Sequence, residues 1–195
     1  MHSRDEALAA GRSIGYPLVL KGLTRHAGHK TEAGLIQIDI GDEAALNSAY
    51  ERIETGLNTT GPEGAAEGIL VQEMITDGVA ELILGINRDP DFGPVVMLGS
   101  GGILVELLRD IQLGLPPLDL DQARAMVAKL QGRKLLNGFR GRPLADEAAL
   151  AQTLVALGRL AVDGREGIAS LDINPLLVRP AGKGVVAADI LMEFG

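Results

Sequence analysis

Apolar residues along this chain follow two periods, one of strands and one of helices. Leu18-Val19-Leu20-Lys21 is a short apolar run that turns polar at its end, and Leu35-Ile36-Gln37-Ile38-Asp39-Ile40 alternates as a half-buried strand does. Helical spacing governs Ala45, Leu46, Ala49, Tyr50 and Ile53, which predicts a helix from Glu43 to about Glu54 with Asp42 as its N-cap. Asp5 to Ser13 reads as the end of an earlier helix, broken by Gly15-Tyr16-Pro17. Thr55 to Gly68, rich in Gly, Thr and Glu, reads as a linker. Two strands follow, Ile69 to Met74 and Ala80 to Arg88, with Thr76-Asp77-Gly78 as the turn between them.

Asp89-Pro90-Asp91-Phe92-Gly93-Pro94 is a strong turn, and Val95 to Leu98 is a short strand running into Gly99-Ser100-Gly101-Gly102. Ile103 to Leu115 is an apolar segment interrupted by Glu106, Arg109 and Asp110, and Pro116-Pro117 closes it. Asp119 or Asp121 caps a helix to Leu130, and Asp146 caps one from Glu147 to about Val162. Ile168 to Ile173 and Leu176 to Val178 are strands split by Asn174-Pro175, and Gly182-Lys183-Gly184 turns the chain into Val185 to Leu191. The order predicts an α+β fold of antiparallel strands interleaved with helices, without the βαβ alternation of a doubly wound sheet.

Composition narrows the classes. The 195 residues are 46% hydrophobic and 23% charged, an ordinary globular balance for one large domain or two small lobes around a cleft. Aromatics are 3% with no Trp, so Val, Ile, Leu and Ala must build the core. A formal charge of −8 argues against binding nucleic-acid backbones, which requires phosphate neutralisation. With no Cys there are no disulfides, thiolate metal sites or Cys nucleophiles. The apolar runs are shorter than a bilayer span, and the start at Met1-His2-Ser3-Arg4 is unlike a signal peptide, so a soluble cytoplasmic domain is expected.

Four groups of residues carry possible chemistry. Lys21, ending an apolar strand, either reaches a nucleotide phosphate or snorkels to solvent. His29-Lys30-Thr31-Glu32 is either a polar surface loop or a place where an imidazole takes up a proton or a phosphoryl group beside a screening ammonium. Gly99-Ser100-Gly101-Gly102 is either a plain turn or an anion-binding nest of backbone N–H groups. Asp172 and Asn174 share a strand face, and Asp189 comes from a second strand. These hard oxygen donors suit Mg²⁺, and the alternative is that Asp172 and Asn174 cap a bulge or turn. Neither a Walker A sequence nor a Gly-x-Gly-x-x-Gly after a strand is present.

Taken in order, the motifs resemble one family. They are Gly15-Tyr16-Pro17-Leu18-Val19-Leu20-Lys21, His29-Lys30-Thr31-Glu32-Ala33-Gly34, Val71-Gln72-Glu73-Met74, Glu81-Leu82-Ile83-Leu84-Gly85, Gly99-Ser100-Gly101-Gly102, Leu135-Leu136-Asn137-Gly138-Phe139-Arg140-Gly141, Asp172-Ile173-Asn174-Pro175 and Gly184-Val185-Val186-Ala187-Ala188-Asp189. In register over about residues 4 to 191, they resemble the ATP-grasp domain of NDP-forming acyl-CoA synthetases. They are also similar to the β subunit of ADP-forming acetate–CoA ligase and, more distantly, of succinyl-CoA synthetase.

The resemblance implies two α+β lobes enclosing a nucleotide cleft, about residues 15–74 and 75–195. It implies ATP or ADP with Mg²⁺, with Lys21 on the phosphates and Gln72, Glu73 and Met74 facing adenine mostly through their backbone. Glu81 would lie near the ribose or hinge, Gly101 and Gly102 at the phosphates, and Asn174 and Asp189 on the metal with Asp172 close by. His29 matches a position implicated in phosphoryl relay, with Lys30 beside it. The implied partner is a CoA-binding, CoA-ligase domain or α subunit carrying the main phosphohistidine, and the implied substrates are a small carboxylic acid or an acyl-CoA. No nucleic acid or membrane is implied. Two features depart from the family. Gly34-Leu35-Ile36 replaces a Gly-Gly-Val type of sequence, and the usual N-terminal helix and strand segment is missing, which implies part of a longer polypeptide. Two other readings are a non-catalytic ATP-binding regulatory module fused to a domain such as an acetyltransferase, and another ATP-grasp carboxylate ligase.

Overall fold

The computed structural model describes residues 1–24, 34–60, 66–101, 110–138, 141–164 and 167–195. These fall into two compact units, Met1–Thr76 and Asp77–Gly195.

The smaller unit contains α1 (Arg4–Ile14), β1 (Leu18–Thr24), β2 (Ile36–Ile40), α2 (Glu43–Thr60) and β3 (Ala66–Glu73). Its antiparallel sheet has the order β2-β1-β3, so both neighbours of β1 come from elsewhere in the sequence. Ser3 caps α1 by accepting from the Glu6 N–H, and Asp42 caps α2 by accepting from the Ala45 N–H at 2.7 Å. Both helices cover one sheet face. Leu18, Leu20, Ile69 and Val71 meet Ala7, Leu46, Ala49, Tyr50 and Ile53 in a core from which water is excluded. A Cβ on Gly11 would stand 2.5 Å from Leu46 Cδ2, so glycine is what allows α1 to lie this close to α2.

The larger unit contains β4 (Ala80–Asp89), β5 (Gly93–Ser100), β6 (Ile111–Gly114), α3 (Leu120–Lys129), a 3₁₀ turn (Gln131–Leu135), α4 (Glu147–Asp163), β7 (Ile168–Val178), β8 (Val185–Ala187) and β9 (Ile190–Phe194). The sheet order is β6-β5-β4-β7-β8, with β9 alongside β7 as well, and every pairing is antiparallel. Leu82, Leu84, Ile86, Val96, Leu98, Leu171 and Ile173 face Met126, Val127, Leu150, Leu154 and Leu157 of α3 and α4. Asp119 forms a reciprocal capping box with Gln122 at the start of α3. Asp146 does more than cap α4. Besides the Ala149 N–H, it accepts the Gly182 and Gly184 N–H groups at 2.9 Å each, and both glycines have positive φ (82° and 80°).

Four expectations need correction. The segment from Thr55 is not a linker, because α2 continues to Thr60 with the Thr55 and Thr59 hydroxyls donating back to the preceding turn. Thr76-Asp77-Gly78 does not close a hairpin; β3 and β4 belong to different sheets, and the chain passes from one unit to the other here. Lys21 is not at the end of a strand, since β1 runs on to Thr24. Ile168 to Val178 is one strand rather than two. Leu82 pairs with Leu176 but Leu84 with Ile173, so one extra residue is accommodated at Asn174–Pro175 as a β-bulge.

Candidate functional site

Each sheet has helices on one face, and most of the residues of interest lie on the other. In β1, Leu18 and Leu20 point to the helices, so alternation turns Val19 and Lys21 to the opposite face. Lys21 is nevertheless only 6% exposed, so it does not snorkel freely into water. Gln72 pairs directly with Val19 and shares that face.

The register also determines where the backbone of β3 points. The Met74 N–H donates to Pro17 C=O at 3.0 Å, and Ile69 exchanges bonds with Met1 on the far side of β3. Antiparallel alternation therefore turns the N–H and C=O of Val71 and Glu73 away from β1, toward the edge of the sheet. Of the three residues expected to face adenine, Glu73 has outward backbone groups, Gln72 is paired inward with Val19, and the Met74 amide is committed to Pro17.

In the larger unit, Leu191, Asp172, Gly85, Met97 and Leu113 form one cross-strand row, from β9 through β7, β4 and β5 to β6. The row lies on the face away from α3 and α4, because Leu84, Leu98 and Ile173 beside it point into the core. Gly85 is small for a reason. A Cβ there would approach Leu171 O at 3.0 Å and Met97 Cε at 3.4 Å, and would be 4.0 Å from Asp172 Oδ1, so Met97 and Asp172 both reach toward the bare backbone of Gly85.

Asn174, at the bulge next to Asp172, is exposed, and its N–H donates to Asp189 C=O at 3.2 Å. The strand pairing thus places Asp172, Asn174 and Asp189 next to one another along the backbone. Burial raises the pKa of Asp172, and the Asp189 carboxylate raises it further. Two mutually repelling carboxylates and an amide oxygen, with no nitrogen or sulfur donor, suit a hard divalent cation that keeps water or phosphate oxygens in its other positions. Among the described residues no group of three or more His, Cys, Asp or Glu is assembled, so this is a small set of protein donors. The β-bulge falls at Asn174–Pro175, immediately after Asp172 and Ile173.

The glycine run behaves differently from an open nest. The Ser100 N–H donates to Asp110 C=O, the Gly101 N–H donates to Glu81 C=O at 2.9 Å, and a Cβ on Gly101 would come within 2.6 Å of that same oxygen. Ser100 and Gly101 therefore use their amides within the protein, and Glu81 is tied to the run through its backbone while its side chain is exposed. Gly102, His29 and Lys30 lie outside the described residues, as do Thr31, Glu32, Glu106, Arg109, Phe139 and Arg140.

Two arrangements were not foreseen from the residue pattern. Asp110 is buried and accepts from the Ser100 hydroxyl and from the Gln131 and Gly132 N–H groups, at 2.9 and 2.8 Å for the amides. Burial pushes its pKa up, but these donors outweigh that and leave it below the ordinary value. Asp77 holds Arg179 through two hydrogen bonds of 2.8 and 2.9 Å and Lys183 at 3.2 Å, and Arg179 above all lowers its pKa to about 2. Both ties link residues at least ten positions apart, so local spacing carries no signal for them.

Two helix-backed antiparallel sheets, one carrying a buried ammonium and the other neighbouring carboxylates on the face away from its helices, define an α+β class. The model of the ATP-grasp domain matches residues 1–194, and the chain belongs to that family. It is 38% identical over 191 residues to acetate–CoA ligase (ADP-forming) I of Archaeoglobus fulgidus, covering 98% of this chain and 27% of that protein. It is 32% identical over 185 residues to the β subunit of acetate–CoA ligase (ADP-forming) II of Pyrococcus furiosus, covering 95% of this chain and 78% of that subunit. Among solved structures it resembles the dinucleotide-forming acetyl-coenzyme A synthetase 1 of Ca. Korarchaeum cryptofilum. The TM-score is 0.93 at 37% identity for a complex with coenzyme A and Ca-AMPCP, over 100% of this chain and 83% of that one. For a complex with coenzyme A and Mg-AMPPCP, whose phosphohistidine segment points towards the nucleotide binding site, the TM-score is 0.82 at 34% identity, over 99% and 83%. The chain spans about a quarter of the length of the first curated relatives it matches, 26% and 27%. No described helix is long and apolar enough to cross a membrane.

Proposed function

We propose that this chain is the nucleotide-binding part of an ADP- or NDP-forming acyl-CoA synthetase. It moves a phosphoryl group between Mg-ATP or Mg-ADP and a phosphohistidine on a CoA-ligase domain or α subunit. The whole enzyme thereby interconverts a small carboxylic acid, CoA and ATP with acyl-CoA, ADP and phosphate. The observation that carries this reading is the set of Asp172, Asn174 and Asp189 brought together by β7 and the segment entering β9. Relatives that match along nearly all of this chain are named as ADP-forming CoA ligases or their β subunits.

In the forward direction the partner's imidazole nitrogen attacks the γ-phosphorus. The new P–N bond forms as the bond to the β,γ-bridging oxygen breaks, and that oxygen leaves with ADP. Little covalent chemistry falls to this chain, so its contribution is positioning and charge. Lys21 offsets phosphate charge from a site where burial strengthens the attraction. The outward N–H and C=O of Glu73 take the edge of the base. Asp172, Asn174 and Asp189 would hold Mg²⁺, which supplies neutralisation of charge on the phosphate oxygens. Gly101 contributes by fixing the end of β5 to Glu81 rather than by offering its own amide.

The test uses the full-length protein, or both subunits, with γ-labelled ATP and Mg²⁺. Label that is stable in base, lost in acid and carried by the CoA-ligase part is expected. Nucleotide binding without transfer to protein would overturn the reading in favour of a regulatory module.

A further inference from the structure

From the register of the larger sheet, we infer that the apolar strip beside Asp172 on β5 and β6 is the docking surface for the polypeptide segment that brings the phosphoryl acceptor to the site. This rests on the function proposed above.

The strip begins one residue from the carboxylates. Across the row, Asp172 is followed by Gly85, then Met97, then Leu113, and Ile111 stands opposite Gly99 on the same face. Leu113 is 67% exposed and Ile111 41%, and Leu115, next after β6, is 57% exposed. They are not core residues facing the wrong way. Gln112 and Gly114 point to the helices, and Gly114 has no room for a Cβ beside Met126 Sδ at 2.8 Å. The edge strand therefore keeps its bulk on the open face by strict alternation.

Exposed apolar side chains on an edge strand are a liability unless something uses them. Among the described residues the strip carries no charge from Gly85 outward, so these side chains offer nothing to a nucleotide polyphosphate or a free carboxylate. It suits apolar side chains of a polypeptide. A segment of that kind has to come within bonding distance of a phosphate held at Asp172, and this strip continues directly from that residue. In the Korarchaeum enzyme such a segment is described as pointing towards the nucleotide binding site.

The experiment measures Mg-ATP binding and single-turnover transfer from γ-labelled ATP to the phosphohistidine in the assembled enzyme. Wild type is compared with Leu113→Asp, Ile111→Asp and Phe92→Asp. Phe92 is 69% exposed at the tip of the β4–β5 turn and controls for added surface charge. Leu113→Asp and Ile111→Asp should each slow transfer at least about tenfold while Mg-ATP affinity stays within twofold, with Phe92→Asp transferring at the wild-type rate. Leu113→Met should restore most of the rate. Unchanged transfer in Leu113→Asp, an equal loss in Phe92→Asp, or a parallel loss of Mg-ATP affinity would each overturn the docking surface and leave the proposed function standing. Dissociation of a homo-oligomer with transfer intact would assign the strip to a second copy instead. If wild type binds Mg-ATP but transfers nothing to protein, the proposed function fails and the docking surface with it.

Discussion

In the smaller unit Leu18 and Leu20 face two helices while Lys21 faces away. In the larger unit Leu171 and Ile173 face two helices while Asp172 faces away. The same period-two logic places a charged side chain on the helix-free face of each, yet the results differ in charge and in exposure. Lys21 is nearly enclosed, whereas Asp172 and Asp189 are half-buried and Asn174 is exposed. In the function proposed here, an ammonium that offsets phosphate would gain from low dielectric, while carboxylates and an amide that share a cation with water or phosphate would need open space. The supporting cores differ too. Helices α3 and α4 cover most of a six-stranded sheet, but α1 and α2 cover only three strands, so the smaller unit has less apolar burial in reserve.

The largest effect expected from breaking this comparison is in the cores. Leu154 and Leu46 are both fully buried, one in each unit, and replacing either by Ala should cost about 2–5 kcal/mol. Urea unfolding with probes in each unit should show Leu46→Ala lowering the smaller unit's midpoint first. A smaller effect is expected from the enclosed cation. Lys21→Met keeps the volume and removes the charge, so ATP affinity should fall about tenfold or more, read by titration calorimetry on the folded variant. Equal affinity would place the phosphates elsewhere.

The smallest effect is electrostatic and local. Asp77 has its folded pKa lowered from 3.8 to about 2, chiefly by Arg179. A lowered folded value contributes stability that is complete above the unfolded value and is lost as pH falls from about 4 toward 2. Asp77→Asn should therefore flatten the acid limb of the larger unit's stability curve between those limits and leave the curve's shape at pH 7 unchanged. An acid limb with the wild-type slope would show that the Arg179 and Lys183 contacts contribute nothing in solution.

Much of the fold was legible because its determinants are local. Asp42, Asp119 and Asp146 announced three helix starts, and alternation in Leu18–Leu20 and Ile36–Ile40 announced strands. The end of α2 was missed because Thr and Gly discourage helix on average, while here Thr hydroxyls bond back within the helix and packing of Ile53 and Leu57 against Gly22 holds its last turns. Strand partnership was the other gap. Nothing local says that β1 sits between β2 and β3, or that β7 lies between β4 and the β8 and β9 strands.

The site was partly legible for the same reason. Asp172, Asn174 and Asp189 were readable as oxygen donors, and the turn after Val178 made their meeting foreseeable. The enclosure of Lys21 depends on tertiary structure. The commitment of the Gly101 amide to Glu81 depends on β4 lying beside β5, and Asp110 acquires its role only when Gln131 and Gly132 arrive from 21 and 22 positions away.

The central claim is that the carboxylates on the open face of the larger sheet hold the cation through which nucleotide is bound. It is tested most directly by calorimetric titration with ATP, with and without Mg²⁺, of the wild-type chain and of Asp172→Asn combined with Asp189→Asn. The account predicts binding that requires Mg²⁺ in the wild type and an affinity about a hundredfold lower in the double variant with its fold intact. Equal affinity with and without Mg²⁺, or an unaltered affinity in the double variant, would contradict it.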